Sequence, residues 1–204
     1  YTFKILSACF GVCDILLESF SKRTNTINCR DITHTNMDSF FGLTKYMLKT
    51  MLQGMNNSTC FNLAENWFPE AIQSAKEGLS QEPIASKQKS ISCATEVAKK
   101  MGATDEEMTM VAGFAGGLGL SGNACGALST AIWMNSLAWV KEHPNKSAFK
   151  NKNAKATLKA FNKETNSEML CHNICQQQFK TIAEHTNFIK NGGCSKLIAT
   201  LAKT

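Results

Sequence analysis

The chain has 204 residues and a mass of 22.4 kDa, enough for one domain or two small ones around a real core. Hydrophobic residues make up 43% and charged residues only 19%, which excludes a disordered chain. The net charge is +6, but the lysines are scattered rather than clustered, so no nucleic-acid surface is expected.

Helical periodicity runs through the chain in order. Ile5, Cys9, Cys13, Leu16, Leu17 and Phe20 fall on one face of a first helix. A second is expected from near Asp38, carrying Phe40, Leu43, Met47, Met51 and Met55. A third follows Thr59, with Leu63, Trp67, Ile72 and Ala75, and Pro69 predicts a kink or a break in it. Residues 80–90 form a polar, proline-bearing linker.

Beyond the linker, one helix is expected over Ser92–Lys100 and another opens at Thr104, which with Glu107 has capping-box spacing. The residues from Met108 to Val140 carry no charge. Six glycines between Gly113 and Gly126, with Asn123 among them, argue against a membrane-spanning helix there and for a Gly-rich turn feeding a buried helix over Cys125–Val140. Later helices are expected over Ala154–Lys163, Ser167–Lys190 and Cys194–Ala202, the last two split by Asn191-Gly192-Gly193. No run alternates with period two. The fold class is all-α, a helical bundle.

The two halves echo each other. Phe20-Ser21-Lys22-Arg23-Thr24-Asn25 matches Phe161-Asn162-Lys163-Glu164-Thr165-Asn166, with Cys29 and Cys171 following. Cys60-x-x-Leu63 parallels Cys194-x-x-Leu197. The organisation expected from this is a partial N-terminal helical repeat over 1–80, a linker over 81–90 and a complete domain over 91–204: one and a half copies of a duplicated unit. The chain opens on Tyr1 without a signal-peptide pattern, and this start is expected to be a truncation that hides the compartment.

The chemistry lies in the nine cysteines, an odd number that leaves at least one unpaired within a chain. Gly117, Gly119 and Gly122 spell Gly-x-Gly-x-x-Gly, but a dinucleotide fold needs a strand before that turn and an acidic residue at the ribose position, and neither is present. The glycines instead bring backbone close to Cys125, at the start of a helix. Cys93 follows a Ser92 N-cap. Unpaired N–H groups and the helix dipole at such positions favour thiolates, marking both as low-pKa, redox-active or metal-binding candidates. Cys9/Cys13 and Cys171/Cys175 are spaced i, i+4 and share a helical face. Cys171 and Cys175 lie on a stripe with Phe179, Ile182 and Ile189, which offers core packing as the alternative. His172 and His185 are isolated and are not expected to be ligands.

Gly116-Gly117-x-Gly119-x-x-Gly122-x-x-Cys125-Gly126-Ala127-Leu128, with Cys93 upstream and Cys171 and Cys194 downstream, resembles the C-GCAxxG-C-C family of redox-active proteins. The resemblance covers about Ile91–Leu201, with a weaker copy of its C-terminal part over Phe20–Ala75 through Cys29 and Cys60. By position it implies a quartet of Cys93, Cys125, Cys171 and Cys194, and the final glycine of the motif is Thr130 here. It implies thiol/disulfide chemistry, with Cys125 attacking and Cys93 or Cys171 resolving, or a metal centre (an iron–sulfur cluster or zinc) on the same four sulfurs. A redox partner protein and a homodimer are the partners expected, and a membrane is not. The competing class is a non-enzymatic scaffold held by structural disulfides, membrane- or transporter-associated in one variant.

Overall fold

The computed structural model describes residues 2–37, 39–80, 91–146 and 150–204, with side chains described from residue 12 onward apart from Met55. The expected linker at 81–90 and the Cys9 side chain lie outside the described residues. The protein is all-α. Its helices are α1 (Thr2–Thr24), α2 (Cys29–Thr33), α3 (Phe40–Gln53), α4 (Thr59–Ser80), α5 (Cys93–Lys100), α6 (Asp105–Val111), α7 (Gly126–Glu142), α8 (Lys152–Thr165), α9 (Cys171–Cys175), α10 (Ile182–Lys190) and α11 (Ser195–Leu201). Among the described residues none is in a strand, and no helix is long and apolar enough to cross a membrane. The chain folds as two compact units, residues 1–14 with 81–204 and residues 15–80.

The larger unit holds the buried core. α7 packs on α5 and α8, and α11 packs on α5, α7 and α8. Val97, Val111, Ala131, Phe161 and Leu201 are completely enclosed. The helix starts follow their caps. Ser92 and Thr104 each accept a backbone N–H three residues on, and Thr95 and Glu107 return a bond to the cap. Asn151 caps α8, its Oδ1 accepting from Asn153 N at 2.9 Å, while its Nδ2 donates to the Asn135 carbonyl at 2.9 Å and so ties α8 to α7.

The uncharged stretch is divided as its glycines demand. α6 runs into a 3-10 turn (Ala112–Phe114), a loop follows, and α7 begins only at Gly126. Every residue from Gly116 to Leu120 has positive φ. At Gly117 (φ +90°) a Cβ would also press on the Ala124 carbonyl and the Gly122 backbone. Gly126 has ordinary helical geometry; there the constraint is close approach, because a Cβ would overlap the Phe114 carbonyl. Thr130 replaces the last glycine of the motif at no hydrogen-bonding cost: it is fully buried, and its hydroxyl donates to the Gly126 carbonyl at 2.9 Å.

Three expectations need correction. The helix expected over Ser167–Lys190 is two helices. Ser167 (φ 64°) is left-handed and lies outside any helix. The five-residue α9 starts after its N-cap Leu170 and ends at the left-handed Gln176 (φ 56°), and Thr181 then caps α10 by accepting from Glu184 N. α3 ends at Gln53, with Gly54 at φ 82°, so Met55 lies in a separate 3-10 turn. Pro69 breaks nothing: α4 is continuous across it.

In the smaller unit, Phe20 and Trp67 meet edge to face with centroids 5.0 Å apart, Trp67 Nε1 donates to Ser19 Oγ, and Arg23 pairs with Glu70. None of α3's residues is buried. The sequence echo extends to backbone geometry. Asn25 and Asn166 are both left-handed (φ 56° and 53°), and Thr24 and Thr165 hydroxyls both donate four residues back, to the Phe20 and Phe161 carbonyls. The short helices α2 and α9 both open on a cysteine and end on a left-handed residue, His34 or Gln176.

Gly126→Ala is expected to destabilise the fold by about 1–3 kcal/mol, because the backbone at Phe114 must give way. Denaturant unfolding with an unchanged slope would confirm it; a midpoint equal to the parent's would refute it.

Candidate functional site

Five cysteines of the larger unit converge. Cys93, at the first turn of α5, and Cys125, the N-cap of α7, are buried. Cys171 and Cys175 open and close α9, and Cys194 caps α11 in the left-handed conformation (φ 57°). Together with Gly126, Ala127, Ile174 and His185 they line a small cavity of about 10 Å³, room for roughly one water molecule. Cys175 Sγ lies 3.8 Å from Cys171 Sγ and 3.6 Å from Cys194 Sγ.

The glycine loop builds this arrangement. The Gly116 amide faces the Cys93 sulfur. The loop then leads into Cys125. At Gly122 it reaches α9: the carbonyl accepts from His172 N at 3.2 Å and from His172 Nδ1 at 2.9 Å. His172 is therefore a structural tie between the loop and the helix that carries two thiols.

Burial governs the electrostatics. Desolvation pushes the Cys93 thiol well up, against the opposing pull of the Gly116 amide. Cys125 is pushed up to about 11 by desolvation; the Leu128 and Ala127 amides oppose this, without forming a full side-chain cap. Cys175 is raised to about 12, chiefly by its hydrogen bond with Cys171, then by burial, while the bond with Cys194 acts the other way. Cys194 is raised by its contact with Cys175 and then by burial. The low-pKa thiolates expected at Cys93 and Cys125 are thus absent: the cost of burying an anion exceeds what a few helix N–H groups return.

His185 shares the cavity. It is 2% exposed, its Nδ1 has no hydrogen-bond partner, and the Phe179 ring stands edge-on to it at 4.9 Å. Desolvation lowers its pKa to about 4, so the ring is neutral at pH 7. The thiols are the only side chains on the cavity wall able to donate a hydrogen bond to that nitrogen.

All four members of the expected quartet are in this cluster. Cys175, read in the sequence only as the i+4 neighbour of Cys171 outside the quartet, and His185, not expected to be a ligand, join them on the cavity wall. Cys175 is i+4 from Cys171. His185 lies three residues after Ile182 and four before Ile189, on the buried face of α10. In the other unit, Cys29 and Cys60 are exposed, and Tyr46 Oη donates to Cys60 Sγ at 2.9 Å. A metal centre needs its donors gathered around one point, and among the described residues no three His, Cys, Asp or Glu groups are arranged to hold an ion.

A helical domain with a glycine loop, a Cys-Gly-Ala turn and clustered thiols defines a class of cysteine redox proteins. The sequence model of the family described as "Putative redox-active protein (C_GCAxxG_C_C)" matches residues 88–204, more than half of the chain. The chain belongs to this family. No curated protein and no solved structure matches it.

Because the His185 pKa is depressed, the unfolded chain takes up a proton that the folded one refuses as pH falls below about 6.5. Stability is expected to decline by up to about 3 kcal/mol between there and about pH 4, and His185→Phe should flatten that slope. Urea unfolding at several pH values tests this; an identical slope in the variant would refute it.

Proposed function

We propose that the protein is a thiol–disulfide redox centre in which Cys175 and Cys194 form the reversible disulfide. The observation that carries this reading is the 3.6 Å contact between their sulfurs, which come from separate elements, the end of α9 and the cap of α11. Cys171, at 3.8 Å from Cys175 and on the same short helix, is the neighbour that a Cys175 disulfide would exchange with. Cys93 and Cys125 form the buried wall behind them.

The chemistry balances as an exchange. One thiolate attacks a disulfide of the partner, breaking its S–S bond and releasing one partner thiol. The second cysteine then attacks the mixed disulfide, closes Cys175–Cys194 and releases the second partner thiol. The two thiol protons of the protein end on the two thiols released, and the partner disulfide is reduced by two electrons. High thiol pKa values make this site a store of reducing equivalents more than a fast nucleophile, because only the thiolate attacks.

The metal alternatives, an iron–sulfur cluster or zinc, have the right donor chemistry in five sulfurs. The exchange reading leads because it needs only the two sulfurs already in contact, while the metal readings require donors to be regrouped.

Mild oxidation of the reduced protein followed by peptide mapping is expected to yield a Cys175–Cys194 linkage. In Cys175→Ser that linkage cannot form, and the two-electron oxidation should be lost or moved to a slower pair. Oxidation should also speed up about tenfold per pH unit from pH 7 to 10, since the reacting thiols titrate above that range. A first disulfide confined to other cysteines, or a flat pH dependence, would overturn the reading.

A further inference from the structure

We propose that the open cleft beside the cysteine cluster is the binding site for a short peptidyl disulfide, the substrate of the exchange just described; the inference rests on that reading. The cleft measures about 770 Å³, within the range of small-ligand sites. Cys175, Cys194 and Ile174 line both this cleft and the small inner cavity, whereas Cys93, Cys125 and Cys171 line the inner cavity alone. The two sulfurs in contact at 3.6 Å are therefore the ones that a ligand in the cleft meets.

The lining indicates what that ligand is. Asn166, Asn173 and Gln176 bring three carboxamides. Asn173 Nδ2 donates to Glu168 and Gln176 Nε2 to the Asn173 carbonyl, which leaves the Asn166 amide and the carboxamide oxygens of the other two to pair with peptide groups. Glu164 and Lys196 form an ion pair of 2.7 Å in the wall, with the Lys196 side chain 82% exposed. Such a pair is weakly held in water, so its members are free to exchange each other for the carboxylate and ammonium of a zwitterionic ligand. Glu168 is already engaged, accepting from Leu170 N and Asn173 Nδ2. Phosphorylated ligands fit poorly, because the single cation in the lining stands beside two carboxylates. Ile174, Phe188 and Leu197 supply the apolar share of the lining, and Ile174 also lines the inner cavity with the sulfurs.

Glutathione disulfide is the probe. With it, one cysteine attacks, one glutathione leaves as the thiol, and the remaining glutathione stays on the protein until the second cysteine displaces it. Cys175→Ser leaves Cys194 without its partner, so mass spectrometry should find one glutathione held on Cys194. In Cys194→Ser, by contrast, an adduct on Cys175 is passed to Cys171 at 3.8 Å and ends as a Cys171–Cys175 disulfide. In the wild type the oxidation rate should saturate with glutathione disulfide, and S-methylglutathione in about tenfold excess should slow it about fivefold or more. Cystamine, a disulfide without peptide bonds or carboxylates, should show no saturation.

Linear dependence on glutathione disulfide, no competition, or an adduct on Cys93, Cys125 or Cys171 would overturn the cleft assignment. The wild-type kinetics decide the matter even where a serine variant fails to fold. Diamide separates the two levels. If it closes Cys175–Cys194 while glutathione disulfide shows no saturation, only the cleft inference falls; if it does not close that pair, the exchange reading falls with it.

Discussion

The site depends on a loop that only a glycine-rich sequence can make. Between Gly116 and Leu120 the backbone stays at positive φ, a region that costs ordinary residues about 1 kcal/mol or more each. Leu118 and Leu120 occupy it too, held by their own N–H bonds to the Phe114 and Ala115 carbonyls. The strain is offset by contacts that a wider turn would lose. The Gly116 amide reaches Cys93, the Gly122 carbonyl anchors His172, and Gly126 lets α7 start against the Phe114 carbonyl. Three separate elements are thereby drawn to one set of sulfurs.

Drawing thiols into a buried cavity has an electrostatic consequence. A helix N-terminus offers roughly half a unit of positive charge, but removal of a thiolate from water costs more than this returns. Position at a helix start and thiolate character therefore part company in this fold. What proximity provides instead is geometry: neighbouring sulfurs at contact distance shorten the path of an exchange whatever their resting protonation. The neutral His185, whose Nδ1 is buried without a hydrogen-bond partner, adds the only non-sulfur polar side chain of the wall.

Much of this was legible in the residues. The Ser92 N-cap and the capping-box spacing at Thr104 marked two helix starts, and the glycine run marked the loop and the cysteine that follows it. The family quartet was readable because four cysteines and one glycine-rich string suffice to carry it. The breaks inside 167–190 were not, because Ser167 and Gln176 adopt left-handed geometry without the glycine that normally advertises it. Once α9 is taken as a single short turn, Cys175 faces Cys194 across a chain reversal that helical periodicity cannot express. His185 was passed over for a related reason: a lone histidine on an apolar stripe carries no sign of whether its partner is water, backbone or nothing.

The division of the five thiols into depths follows from the same short turn. With α9 only five residues long, its first cysteine sits on the buried side of the cluster and its last beside the cleft. Cys171 is enclosed with Cys93 and Cys125, while Cys175 and Cys194 stay half-buried. The outer sulfurs line the open cleft; the inner ones line only the enclosed cavity. The left-handed Gln176 ends the helix at Cys175, which lines both the cavity and the cleft.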